Sequence, residues 1–194
     1  NLLTETDIWR RARQSIERRQ LGSARAAVAI LDAVAADLVQ ALFENPQRHL
    51  ETANLSTATG RELAVLATAR QAILDPAMAA QWLQVQGRAL SAGQRDWLWG
   101  SIGRQAALNL DLQATGDFSR AGSLRHFDEE HLEWMARNAL RHGQWAQVRQ
   151  AIEAMNTVTR QQPAWTYWLV RSLQDGRQRP AQRSRKAETL LQQI

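Results

Sequence analysis

The sequence has no cysteine and few of the residues that favour β-strands. The absence of cysteine excludes disulfide bonds and thiolate metal sites. Phenylalanine occurs three times and tyrosine once, whereas alanine, leucine, arginine and glutamine, all good helix formers, dominate. The longest apolar run, Ala26–Leu31, is far shorter than the roughly 18 residues that a membrane-spanning helix needs. The composition therefore predicts an all-α protein without a transmembrane segment.

Lysine is nearly absent as well, so the positive charge is carried by arginine. Lys186 is the only lysine, and the formal net charge is +5. Such a balance is compatible with an anionic partner, but an ordinary solvated surface of many helices explains it better. Because the sequence has neither a lysine cluster nor a basic recognition helix, we do not predict a nucleic-acid partner.

Capping residues and short breaks divide the chain into consecutive helices. Asn45-Pro46 and Asp75-Pro76 each end one helix and begin the next, since proline suits the first helical turn. Ser91 and Asp128 are helix caps, and Ala181–Ile194 is the last predicted helix. No segment alternates with a period of two, so residues 1–194 are predicted to form a single helical domain.

An internal repeat indicates how these helices are arranged. At a shift of 124 residues the first predicted hairpin matches the one after Asp128, with Ala12-Arg13 aligned on Ala136-Arg137 and Val28 on Ile152. A related fragment recurs with arginines spaced by 34, 33 and 34 residues. A period near 34 is typical of tetratricopeptide-like hairpins. The repeat therefore predicts a right-handed superhelix of stacked helical hairpins, an α-solenoid.

The repeated arginines and two tryptophans are the candidate contacts for a glycan or a partner. The arginines could line one wall of the superhelix, or cover apolar edges with their aliphatic stems. Trp97 and Trp99 are two positions apart on a predicted helix, so we expect one of them to face the surface, whereas Trp9, Trp145 and Trp168 occupy core positions of the repeat. The candidate contacts are Arg70, Arg104, Arg137, Arg171, Trp97 and Trp99.

No arrangement of residues in the sequence predicts catalysis. The phosphate-binding, dinucleotide-binding and nucleophile-elbow motifs are absent, as is H-E-x-x-H. The segment His126–His131 is the only cluster that resembles a metal site, but Asp128 as a helix cap with two glutamates in the first turn explains it better. We therefore assign no catalytic, cofactor-binding or metal-ligating residue.

The segment Ala164–Arg177 carries a family resemblance. It resembles the W-x-Y-W-x-A-R-x-L-x-x-x-G-R signature of soluble lytic murein transglycosylases, with Val170 where alanine is usual. Residues 136–155 resemble the hairpin that precedes this signature. Asp7–Trp9 and Asn45–Gln47 are similar to the family's N-terminal region.

This resemblance implies a periplasmic location and a role in peptidoglycan turnover. Members of the family cleave glycan strands between N-acetylmuramic acid and N-acetylglucosamine, and leave a 1,6-anhydro end. One glutamate serves as acid and base, in a catalytic domain that follows the superhelix. Neither that domain nor its Glu-Ser segment has a counterpart here. We therefore expect the non-catalytic superhelical scaffold, without a cofactor and with peptidoglycan glycan as its partner.

Two alternative functions remain at this point. A stand-alone helical-repeat adaptor would bind a peptide or helix, although it has no reason to carry the Tyr167-Trp168 signature. A basic helical repeat that binds nucleic acid would show steeply salt-dependent binding. Because the sequence begins with Asn1 and Ile194 falls in a predicted helix, we expect a piece of a longer chain, with a catalytic domain after Ile194.

Overall fold

The computed structural model describes residues 3–175 of the chain. These residues form helices joined by short turns and contain no β-strand, so the all-α prediction is confirmed for this part. The predicted helix Ala181–Ile194 and the end of the family signature, Gly176-Arg177, lie outside the described residues. None of the described helices is both long and apolar enough to cross a membrane.

Residues 3–175 contain twelve α-helices and two short 3₁₀ helices. The 3₁₀ helices are Gly87–Ala89 and Leu124–His126. The α-helices are α1 (Glu5–Glu17), α2 (Leu21–Ala29), α3 (Ala33–Glu44), α4 (Pro46–Glu51), α5 (Ala58–Leu74), α6 (Pro76–Gln86), α7 (Ala92–Leu108), α8 (Ala114–Ser119), α9 (Glu129–Arg141), α10 (Trp145–Ala154), α11 (Thr157–Arg160) and α12 (Pro163–Asp175).

The predicted breaks coincide with helix starts because their side chains satisfy free backbone N–H groups. The side chain of Asn45 accepts a hydrogen bond from the N–H of Arg48 at 3.0 Å, and that of Asp75 accepts one from Met78 at 3.0 Å. Ser91 accepts from the N–H of Gln94 at 3.2 Å. The first turn of a helix has no internal acceptors for these donors, so each cap determines where its helix begins.

The internal repeat is confirmed in the helix boundaries. Helices α1 and α9 start and end 124 residues apart, and α2 and α10 start 124 residues apart. The turns also match, with Arg19 at φ 59° and Gly143 at φ 64°, both in the left-handed region. The next residues, Gln20 and Gln144, donate their backbone N–H to the carbonyl five positions earlier, at 2.8 and 2.9 Å. Both hairpins therefore use the same helix-ending motif.

Helices α5 and α7 lie at the centre of the packing. Helix α5 contacts α1, α3, α4, α6 and α7, while α7 contacts α5, α6, α8 and α9. Each buries a continuous run of side chains, residues 63–69 in α5 and 96–103 in α7. A helix that is buried all round belongs to the interior of a domain. Helices from both ends of the described chain therefore pack against α5 and α7, which position their side chains in the core.

Candidate functional site

The four repeated arginines lie on α5, α7, α9 and α12, and two of them are engaged in helix packing. Arg70 donates from Nε to the carbonyl oxygen of Phe43 at 3.0 Å, and its guanidinium lies 4.2 Å from the centre of the Phe43 ring. Arg104 pairs with Glu130 at 2.8 Å, and its side chain is 14% exposed. Both therefore connect neighbouring helices, and only part of each guanidinium faces solvent.

The other two arginines lie nearer the surface. Arg137 is exposed, pairs with Glu133 at 2.8 Å, and places its guanidinium 5.4 Å from the ring centre of Trp134 and 5.1 Å from that of Trp165. Arg171 is also exposed. Arg137 and Arg171 are therefore the repeated arginines most accessible to a ligand.

The expectation that either Trp97 or Trp99 faces the surface is wrong. Their exposures are 3% and 7%, because α7 is covered on all sides by other helices. The indole N–H of Trp97 donates to Asp128 Oδ2 at 2.9 Å, and the guanidinium of Arg120 lies 5.1 Å from the ring centre of Trp99. Both tryptophans are thus core residues that make their polar contacts within the fold.

A cluster of buried and half-buried polar side chains joins α1 to α7 and α9. We call it the buried junction; its members are Gln14, Glu17, Trp97, Asp128 and His131. Glu17 Oε1 lies 2.9 Å from His131 Nε2, and the two side chains are 4% and 0% exposed. Gln14 Nε2 donates to Asp128 Oδ1 at 3.3 Å, while the indole of Trp97 donates to the other oxygen of the same carboxylate. The junction connects residues that are 114 positions apart in the chain.

The carboxylate and imidazole atoms of the buried junction take part in hydrogen bonds. Ligand atoms of Glu17, Asp128 and His131 lie within 4.8 Å of one another. However, both oxygens of Asp128 accept hydrogen bonds, and His131 Nδ1 accepts the backbone N–H of Asp128 at 3.4 Å. His126 contacts Arg125 instead. Asp128 is the N-cap of α9, as the capping interpretation of His126–His131 predicted.

The pKa of Glu17 reflects two opposing effects. Burial raises it, but the interactions of the carboxylate with His131, Ser101 and Arg104 outweigh burial and leave the pKa of Glu17 below the usual range. The carboxylate is therefore stable in its charged form inside the protein. The burial of Glu17 could have been predicted from the sequence, since Glu17 lies eight positions after Trp9 on the apolar side of α1.

Asp117 has the opposite electrostatic environment. Burial raises its pKa to about 6, against the attraction of Arg120, and Asp111 adds to the rise. Since the folded pKa lies above the unfolded value near 3.8, the folded state binds the proton more tightly. The chain therefore loses stability as the pH rises from about 4 through about 6.

Asp117→Asn is expected to increase the free energy of unfolding at pH 7.5 but not at pH 4. The pKa difference, which already includes the attraction of Arg120, corresponds to at most about 3 kcal/mol, and screening by solvent reduces the expected gain to about 1–2 kcal/mol. Urea unfolding at both pH values measures it, with the exposed Asp37→Asn as control. A gain of equal size at both pH values would contradict the titration of Asp117.

The comparisons with known proteins identify a shared fold. No family model and no curated protein matches this chain. Among solved structures, the X-ray structure of an inactive mutant of lytic transglycosylase Slt from Pseudomonas aeruginosa is similar to it over 99% of this chain, with a TM-score of 0.62 and 22% sequence identity. The chain covers 31% of that protein, about a third of its length. This similarity establishes that the chain has the helical fold of part of that protein.

Proposed function

We propose that this chain is a non-catalytic, superhelical scaffold of a lytic transglycosylase that acts on peptidoglycan in the periplasm. The observation that carries the proposal is the similarity of nearly the whole chain to one part of a solved lytic transglycosylase. The family signature beginning at Ala164 supports the proposal independently, because the signature is a property of the sequence and does not depend on the fold. The described part of that signature forms helix α12.

The superhelical arrangement is part of the same proposal. Two hairpins, α1–α2 and α9–α10, share their helix boundaries and their left-handed turn at a shift of 124 residues. Helices α5, α7 and α9, which carry three of the repeated arginines, pack in succession along the chain. A succession of stacked hairpins is expected of a helical solenoid, and here the buried junction adds contacts of α1 with α7 and α9, beyond its nearest neighbours.

Direct contact with the glycan is proposed first for Arg137 and Arg171. Both are exposed, and arginine donates hydrogen bonds in a planar array to carboxylates and carbonyls, which the lactyl and acetamido groups of peptidoglycan offer. Arg70 and Arg104 are secondary candidates because their guanidinium groups are partly covered. Trp97 and Trp99 stabilise the core instead.

Binding and cleavage of purified peptidoglycan sacculi test the proposal. We expect the chain to sediment with sacculi and to release no soluble 1,6-anhydro muropeptides, while an intact lytic transglycosylase releases them from the same sample. Arg137→Ala combined with Arg171→Ala should weaken sedimentation, whereas the exposed Arg25→Ala should not.

Three results would contradict this function. Cleavage by the chain alone would show that it has its own catalytic site. Absence from the sacculus pellet, with binding to a protein instead, would favour the helical-repeat adaptor. Binding to DNA that falls steeply with salt would favour the nucleic-acid alternative.

A further inference from the structure

A cleft of about 340 Å³ lies between helices α4, α5 and α6. We call it the Trp82 cleft, after the tryptophan in its wall. Five of its nine lining residues are polar, namely four glutamines and one glutamate, and the other four are Trp82 and three further apolar side chains. Its volume falls at the lower end of the range of small-ligand sites, roughly 300–1,000 Å³. The cleft is therefore large enough for a small polar ligand with an apolar face.

A buried glutamine in the cleft has an incomplete set of hydrogen bonds. Gln71 is 6% exposed, and within residues 3–175 its side chain makes one hydrogen bond, from Nε2 to the sulfur of Met78 at 3.8 Å. Sulfur is a weak acceptor, and the carbonyl oxygen of Gln71 has no donor among the described residues. The carbonyl oxygen of Gln71 is not among the fully buried polar atoms that lack a partner, so it reaches the open space of the cleft. The carboxamide can therefore offer both a donor and an acceptor to a ligand there.

The charge of the cleft restricts the class of ligand. Among the described residues that line the cleft, Glu51 is the only ionisable one, and its Oε1 accepts a hydrogen bond from Gln47 Nε2 at 3.3 Å. Because this part of the lining contains no arginine, lysine or histidine, it offers no positive charge to an anion. Carboxamides and a carboxylate at the rim instead match hydroxyl groups, which both donate and accept.

The apolar wall of the cleft matches the flat face of a sugar ring. Trp82 packs partly against the core and lines the cleft, beside Val85, which is 68% exposed. The negative face of an aromatic ring attracts the C–H groups of a pyranose. A helix from a protein partner would instead present an apolar stripe. In this cleft that stripe would lie against the carboxamide groups of the glutamines, which need polar partners. These contacts favour a saccharide over a protein partner.

We propose that the Trp82 cleft is a carbohydrate site that binds one neutral pyranose unit. The ring stacks on Trp82, and its polar substituents bond to the Gln71 carboxamide and the Gln47–Glu51 pair. We assign this pyranose as N-acetylglucosamine, the uncharged sugar of the peptidoglycan strand, and this assignment rests on the proposed function. The cleft would then hold the glycan on α4, α5 and α6, away from Arg137 and Arg171.

Indole N–H signals of the complete 194-residue chain, labelled with ¹⁵N-tryptophan, test this site. The probe is an N-acetylglucosamine trimer, with a maltose trimer for comparison, and Trp82→Phe assigns the Trp82 signal. We expect a saturable shift of that signal with the N-acetylglucosamine trimer. Measured by isothermal titration calorimetry, which does not depend on the Trp82 signal, Trp82→Ala and Gln71→Leu should each raise Kd at least about tenfold. Gln84→Ala, an exposed α6 position outside the cleft, should leave Kd unchanged.

The Gln71→Leu variant separates a binding role from a structural one. Leucine keeps the volume of the side chain and removes the carboxamide, so this variant should remain at least as stable as the wild type while it loses affinity. An unmoved Trp82 signal, or an unchanged Kd in Gln71→Leu, would overturn the site. So would a shift caused by a neutral peptide but not by saccharide.

Sedimentation with sacculi distinguishes failure of the site from failure of the proposed function. If Trp82→Ala binds sacculi as tightly as the wild type does, the cleft is not the glycan site, although the scaffold function stands. If the wild type does not bind sacculi but its Trp82 signal responds to saccharide, the cleft stands and the scaffold function does not.

Discussion

Glu17→Ala is expected to lower the free energy of unfolding by about 3–5 kcal/mol, because it removes one partner of a buried pair. Glu17 Oε1 and His131 Nε2 are 2.9 Å apart, and both side chains are nearly inaccessible to solvent. The substitution leaves the imidazole of His131 without its partner and opens a cavity at the buried junction. Urea unfolding at pH 7 measures the loss.

An exposed ion pair provides the matched control for this prediction. Arg25 and Asp37 are 3.2 Å apart, with side chains 45% and 79% exposed. Asp37→Ala should therefore cost less than about 1 kcal/mol, because water screens the pair. Glu17→Leu combined with His131→Leu should recover much of the loss, since it removes both members of the buried pair and leaves neither of them unpaired. Equal losses in Glu17→Ala and Asp37→Ala would show that burial does not strengthen the Glu17–His131 interaction.

The effect of Glu17→Ala should also depend on pH. A carboxyl whose folded pKa lies below the unfolded value of 4.5 stabilises the fold above that pH. This contribution is lost as the pH falls through the folded pKa. The difference in stability between the wild type and Glu17→Ala should therefore be largest near neutral pH and shrink in acid.

Gly100→Ala and Gly103→Ala are each expected to destabilise the protein by about 1–3 kcal/mol, although alanine favours helices. A Cβ atom on Gly100 would lie 2.5 Å from Nδ1 of His131, and one on Gly103 would lie 2.7 Å from a ring carbon of Phe118. His131 and Phe118 are 0% and 1% exposed, so neither can move aside without disturbing the core. Thermal or urea unfolding measures the change.

Glycines in open positions of other helices are the control. At Gly22 in α2 and Gly116 in α8, an added Cβ atom would meet no neighbouring atom within 4 Å. Gly22→Ala and Gly116→Ala should therefore be neutral or stabilising, by up to about 1 kcal/mol, because alanine restricts the unfolded chain more. Destabilisation of all four variants to the same extent would mean that close approach at α7 is not the cause.

The helices and their ends could be predicted from the sequence because they depend on neighbouring residues. Asn45, Asp75 and Ser91 cap helices at the predicted positions, since a cap bonds to N–H groups two or three residues later. The repeat at a shift of 124 was visible for the same reason, as helix length and turn type are local properties. The 3.6-residue period of the apolar positions then indicated which face of each helix is buried.

The candidate contact residues could not be placed from local pattern alone. Trp97 and Trp99 are both buried because α7 has neighbours on all sides, and a sequence pattern assumes one buried and one exposed face. The Trp82 cleft could not be predicted from the sequence either. Its lining comes from α4, α5 and α6, so no single segment of the sequence contains all of its residues.

Local sequence pattern was enough to predict the all-α fold of residues 3–175, the start of most of their helices and a hairpin that recurs after 124 residues. Only the tertiary structure decided that Glu17 pairs with His131, that both α7 tryptophans lie in the core, and that Gln71 lies in the wall of a cleft. The physical reason is the range of the interactions. Backbone hydrogen bonds and caps act within about four residues, whereas burial and charge pairing depend on segments that meet only in the folded chain.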